Sequence, residues 1–117
     1  MGSVPKKTSG RRLITHLSIP HGNSVNDFIH EKLATVQYSK FDNVISIIQT
    51  LGEHAKIGKI DIKSAFRLLP CYPEDFDLLG FKIGDLYYID KCMSMGCSIS
   101  CSTFEHFCNG LFRKNMD

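Results

Sequence analysis

Apolar and polar positions change period several times along this chain. Residues 11–18, Arg-Arg-Leu-Ile-Thr-His-Leu-Ser, alternate loosely and include β-formers, which predicts a strand with arginines at its start. Pro20, Gly22 and Asn23 mark a loop, followed by the polar turn Ser24-Val25-Asn26-Asp27. The period then lengthens: Phe41, Val44, Ile45, Ile48 and Leu51 recur at helical spacing, with Gly52 placed to cap the end. Ile57, Ile60 and Ile62 flank Asp61 in Lys-Ile-Gly-Lys-Ile-Asp-Ile, which predicts a short apolar strand. A helical turn is expected over 63–69, ended by Pro70, and a second break falls at Tyr72-Pro73. Leu-Leu-Gly-Phe-Lys-Ile and Leu-Tyr-Tyr-Ile-Asp meet at Gly84-Asp85, the pattern of a β-hairpin. After Gly96 the spacing predicts a helix over 98–113. The order β, α, β, hairpin, α predicts an α+β fold.

Composition narrows the picture. The chain has 117 residues, 43% hydrophobic and 22% charged, which suits one globular domain. Its formal charge of +2 is unevenly spread: residues 1–26 hold Lys6, Lys7, Arg11 and Arg12 and no acid. Such a basic arm suits contact with phosphates, or is simply a solvated terminus. The expected division is a basic flexible arm over 1–10 and a folded body over 11–117. No apolar run approaches the ~18 residues of a membrane span, and the start reads as neither a secretory signal nor a myristoylation site. A soluble, intracellular protein, cytoplasmic or nuclear, is expected. The five cysteines are expected to be reduced. Cys92, Cys97, Cys101 and Cys108 lack the close pairs of a zinc site. Cys97, Cys101, Phe104 and Cys108 fall on one helical face instead, and are expected as small core hydrophobes.

One carboxylate stands out. An Asp61 at the end of a buried strand would cost several kcal/mol to ionise unless paired or bound to a cation. A strand-end acid is a natural Mg2+ ligand; capping the turn at Lys63-Ser64, or pairing with Lys59, explains it equally. Gly58-Lys59 is not a phosphate loop, because Ile60 follows and position 53 is Glu. No nucleophile elbow or His-Glu-x-x-His motif occurs.

Three blocks in order resemble the reverse transcriptases, and most closely those of DIRS-type (tyrosine-recombinase) retrotransposons. They are Arg12-Leu-Ile-Thr-His-Leu-Ser18 leading to Ser24-Val-Asn-Asp27, then Lys59-Ile-Asp-Ile-Lys-Ser-Ala-Phe66, then Met95-Gly-Cys-Ser98 leading to Phe104. Between them, Leu68-Leu-Pro-Cys-Tyr-Pro-Glu-Asp75 and Leu79-Gly-Phe-Lys82 also look like that family. The resemblance implies the fingers and part of the palm of a right-hand polymerase, with a mixed or antiparallel sheet and packed helices. It implies an RNA-directed DNA polymerase using Mg2+, a template-primer of RNA or DNA, and dNTPs. Asp61 would be the catalytic and metal-holding aspartate. Arg12 would grip the triphosphate, and Phe66 would stand as an aromatic face against the sugar. Ile62, Met95, Gly96 and Ser98 would complete the nucleotide site, Gly96 by letting backbone approach the nucleotide. Lys6, Lys7 and Arg11 would contact nucleic acid.

Two departures qualify what is implied. Ser98-Ile-Ser-Cys101 lacks the proline usual after that glycine, and no Tyr-x-Asp-Asp motif follows Phe107. Tyr87-Tyr-Ile-Asp90 has one acid and precedes Gly96, so it is read as an ordinary hairpin strand. The chain is therefore expected to be a partial domain, silent by itself, lacking further palm and thumb segments. An exposed sheet edge and exposed apolar surface are expected with it.

Overall fold

The structure, a computed structural model, describes residues 2–7 and 9–114. Strand β1 (Gly2–Pro5) pairs antiparallel with β2 (Arg11–Ile14), in the register Gly2↔Ile14 to Pro5↔Arg11. The segment expected as a flexible arm thus supplies a strand, because β2 offers it a full ladder of backbone partners. A 3-10 turn, Val25–Phe28, precedes the single-turn helix α1 (Glu31–Ala34) and the longer α2 (Phe41–Leu51). Gly52 ends α2 as predicted: its φ is 78° and its N–H donates to the carbonyl of Ile48 at 3.0 Å. The expected turn forms as a 3-10 helix over Ala65–Leu68, and a second runs over Pro73–Leu79. Strands β3 (Gly80–Ile83) and β4 (Leu86–Ile89) make the expected hairpin about Gly84-Asp85. The last element is α3 (Ser100–Lys114).

The two hairpins are separate two-stranded antiparallel sheets, so no larger mixed sheet forms among the described residues. The apolar segment 56–62 belongs to no strand or helix, and Ile57 and Ile60 are exposed. Isoleucine-rich sequence favours a strand only where a neighbour offers a ladder, and no strand pairs with it. The cysteine face of α3 also departs from expectation. Cys101 is exposed and Cys97 and Cys108 are half-buried, while Ser100 and Ser102 are the helix's buried residues. The Ser100 hydroxyl donates to the carbonyl of Ser94 at 2.8 Å, and that of Ser102 to the carbonyl of Leu33. Hydroxyls that donate to the carbonyls of neighbouring segments face inward here, where a thiol is a weak donor.

Among the described residues only Leu17, Leu69 and Leu79 are buried large apolar side chains, whereas Phe41, Ile47, Leu51 and Leu86 are exposed. The molecule is correspondingly drawn out, 60 × 34 × 28 Å with a radius of gyration of 18.1 Å. A compact chain of this length would have a radius of about 13 Å.

What joins the ends of the chain is polar. The N–H of Thr15 donates to the carbonyl of Met95 at 3.1 Å. Nδ2 of Asn26 donates to the Gly96 carbonyl and to the Ser18 hydroxyl, each at 2.8 Å, while its Oδ1 accepts from the N–H of Ser98 at 2.9 Å. Asn26 is itself held in the turn begun by Ser24 and Asp27, whose side chains each accept the other's backbone N–H. Gly96 has φ +112°, and a β-carbon there would stand 2.0 Å from the carbonyl oxygen of Thr15.

Two outcomes follow from this junction. Gly96→Ala meets both an unfavourable φ and a backbone atom it cannot displace, so it should cost about 3 kcal/mol in denaturant unfolding; an unchanged midpoint would contradict the contact. Hydrogen bonds from the Ser24 hydroxyl and then the Ser24 N–H hold the Asp27 carboxyl below its ordinary value. A depressed folded value means stability present above the unfolded value and lost as pH falls through the folded one. Carboxyl NMR should place the Asp27 midpoint below the usual aspartate range, with loosening of the turn on acidification.

Candidate functional site

A cavity of about 570 Å³ opens between three segments that the junction brings together. The first hairpin and its flanks contribute Lys6, Arg11, Arg12, Leu13 and Thr15; the stretch leading into the Ala65–Leu68 turn contributes residues 61–67; the strand-to-loop stretch contributes Asp90, Met93, Ser94 and Met95. Each wall has its own local cause. Arg11 and Arg12 lie in β2, where Arg11 is anchored across the hairpin by donating from Nε to the Ser3 hydroxyl at 2.8 Å. The side chain of Arg12 has no hydrogen-bonding partner among the described residues. The middle wall turns sharply at Ser64, a non-glycine residue in the left-handed region with φ 53°. Such a conformation costs on the order of 1 kcal/mol and is held only where its surroundings require it. Here it swings Phe66 into the cavity wall, where the ring meets Phe104 of α3 edge-on at 6.0 Å. The third wall is fastened to the second by backbone bonds, Met93 N–H to the Leu69 carbonyl and Cys71 N–H to the Lys91 carbonyl, both 2.9 Å.

The cavity gathers Lys6, Arg11, Arg12, Asp61, Ile62, Phe66 and Met95 from the residues singled out in sequence. Lys7, Gly96 and Ser98 lie outside its lining. Gly96 is close-packed against Thr15 and Ser98 donates to Asn26, so both work behind the wall, fixing where the first hairpin sits. Among the further lining residues, not singled out from the sequence, are Lys63, Ser64, Arg67, Asp90 and Ser94. The signal for Asp90 was available, since a lone acid directly after an apolar strand is either solvated or paired. It is buried, and its Oδ1 accepts from Nη1 of Arg67 and from the Cys92 N–H. The hydroxyl of Ser94 is shut off from water without a partner among the described residues.

Asp61 is exposed, not buried at a strand end. Its charge is therefore free and solvated, and available to a ligand. Five cationic side chains and two carboxylates line the cavity, three positive charges in excess, on a chain whose whole net charge is +2. That concentration attracts a polyanion. For Mg2+, the described residues supply no group of three or more metal-capable side chains. Asp61 offers one carboxylate, and Asp90 is committed to Arg67. Mg2+ is commonly held by one or two carboxylates together with phosphate oxygens and waters. The donor set fits Mg2+ arriving with a phosphate ligand, and does not build a cage for the free ion.

A second hollow, about 430 Å³, lies beside the β3–β4 hairpin and is lined by Asp77, Phe81, Lys82 and Tyr87 among others. It holds none of the anticipated site residues and balances one acid against one base. No described helix is long and apolar enough to cross a membrane. Compared with known proteins, the chain matches no family model, no curated protein and no solved structure.

Beneath the third wall, the Cys71 sulfur lies 3.6 Å from that of Met93. Burial raises the Cys71 thiol above its ordinary value, and the negative charge of Asp90 adds to it. Alkylation near pH 8 should therefore label exposed Cys101 well before Cys71, read by peptide mass spectrometry; equal rates would contradict the packing described.

Proposed function

We propose that the cavity is the nucleotide site of an RNA-directed DNA polymerase domain from a retroelement. The substrate would be a deoxynucleoside triphosphate with Mg2+, paired against a template-primer of RNA or DNA. The single observation that carries this is the convergence of three sequence blocks, separated by some eighty residues, on one cavity with excess positive charge. Lys6, Arg11, Arg12 and Lys63 would meet the triphosphate, with guanidinium forks matching paired phosphate oxygens. Asp61 would face the same phosphates through the ion it shares with them. When bound, Mg2+ would supply neutralisation of phosphate charge and activation of the primer 3′-hydroxyl for attack on the α-phosphate. Phe66, braced by Phe104, would give the sugar a flat apolar face, and Ile62 and Met95 would close the wall beside it.

A specific observation favours a second reading as well. Among the described residues Asp61 is the cavity's one unpaired acid, and two ions about 4 Å apart call for more than one carboxylate. On that reading the chain is a nucleic-acid-binding remnant of such a domain, without turnover.

Titration calorimetry with dGTP should show Mg2+-dependent binding that Asp61→Asn weakens about tenfold. Filter binding of a primer–template should fall steeply with salt. Absence of both at low salt would sink the nucleotide-site assignment. Primer extension separates the two readings: incorporation abolished by Asp61→Asn favours the polymerase, whereas binding without incorporation favours the remnant.

A further inference from the structure

One charged pair at the cavity was not foreseen from sequence. Asp90 is 8% exposed, and a carboxylate so far from water needs compensation. Arg67 provides it through Nη1, with the Cys92 N–H donating to the same oxygen at 3.3 Å. The two partners are buried unequally: half of the Arg67 side chain remains exposed, and both residues line the cavity. A guanidinium has five donors in one plane. Asp90 takes one, and the others have no partner among the described residues.

The pair is not needed to hold the two walls together. Backbone bonds at Met93–Leu69 and Cys71–Lys91 already tie them, and the Asp90 N–H is itself fixed to the Leu79 carbonyl at 3.1 Å. Arg67 is likewise anchored, its N–H donating to the Ser64 carbonyl at 2.9 Å. A buried ion pair adds little stability over such a frame. What it does add is direction, since it fixes the plane of a fork whose remaining donors are unused.

We infer that Arg67 is a phosphate-binding residue of the cavity and that Asp90 is the residue positioning its guanidinium. This rests on the nucleotide-site reading above. Arg11 and Arg12 reach the cavity from the first hairpin and Arg67 from a different wall, so phosphate would be gripped from two sides. The phosphate belongs either to a nucleoside triphosphate or to a nucleic-acid backbone, which present the same oxygens.

The test uses the whole chain and three probes, each with Mg2+: inorganic tripolyphosphate, dGTP and a primer–template duplex, titrated over a range of salt. R67M combined with D90N removes both charges and leaves no buried ion unpaired. R67K keeps a charge opposite Asp90 but loses the fork, and covers the case in which the double variant fails to fold. If the phosphate is the nucleotide's, tripolyphosphate and dGTP should both bind about tenfold more weakly to the double variant, and severalfold more weakly to R67K. If it is the backbone's, the slope of log affinity against log salt for the duplex should fall by about one. Either result supports Arg67. D90N alone isolates the positioning role. Removing a negative charge would by itself tighten phosphate binding, whereas freeing the guanidinium weakens it, so a severalfold loss is expected and a gain or no change overturns the role of Asp90. Variants that bind all three probes as the parent chain does overturn the role of Arg67. A parent chain that binds none of them overturns the nucleotide-site reading itself, and this inference with it.

Discussion

The contact of Gly96 with the Thr15 carbonyl, locked by the three side-chain hydrogen bonds of Asn26, is the constraint on which the rest of the molecule depends. The first hairpin meets the chain beyond position 90 at this point. Among the described residues Leu17 is the one buried large apolar side chain near that end, so little apolar packing assists it. Geometry does the work instead: a residue without a side chain lets two backbones close, and one amide fits both donors and acceptors across the seam. With that seam closed, β2 and residues 61–67 line one cavity, and both arginines of β2 face it. The order of causes runs from a missing β-carbon, to a crossing of backbones, to a concentration of charge.

Charge is distributed by the same logic. The acid that the structure buries, Asp90, is matched by Arg67, and the acid that it leaves in water, Asp61, is unmatched. A paired carboxylate orients its partner, while a free one is available to whatever enters. Excess positive charge around both is tolerated because every cation on the walls is at the surface, where water screens it.

Much of this was legible in the residues, for definable reasons. The period of Phe41 to Leu51 and the Gly84-Asp85 turn report on local backbone preference, and α2 and the β3–β4 hairpin formed where they pointed. Arg12, Asp61, Phe66 and Met95 were drawn from three ordered blocks, and one cavity holds all four. What escaped was decided by tertiary partners. Residues 56–62 look like a strand but have no neighbouring ladder. Cys101 carries the right spacing for a core face, yet Ser100 and Ser102 turn inward because carbonyls await them. Asp90 reads as the end of a hairpin until Arg67, twenty-three positions earlier, is seen beside it. Gly96 was marked as a place where backbone comes close, and the backbone that comes close there is that of Thr15.

The drawn-out shape has a calorimetric meaning. With three large apolar residues buried among those described and an 18.1 Å radius of gyration, the folded chain already shows water much of the surface that unfolding would release. The heat capacity of unfolding tracks newly exposed apolar area, so it is small here, and the dependence of stability on temperature is correspondingly flat. A polyanion seated between the three walls would then contribute a large share of the cooperativity with which they come apart.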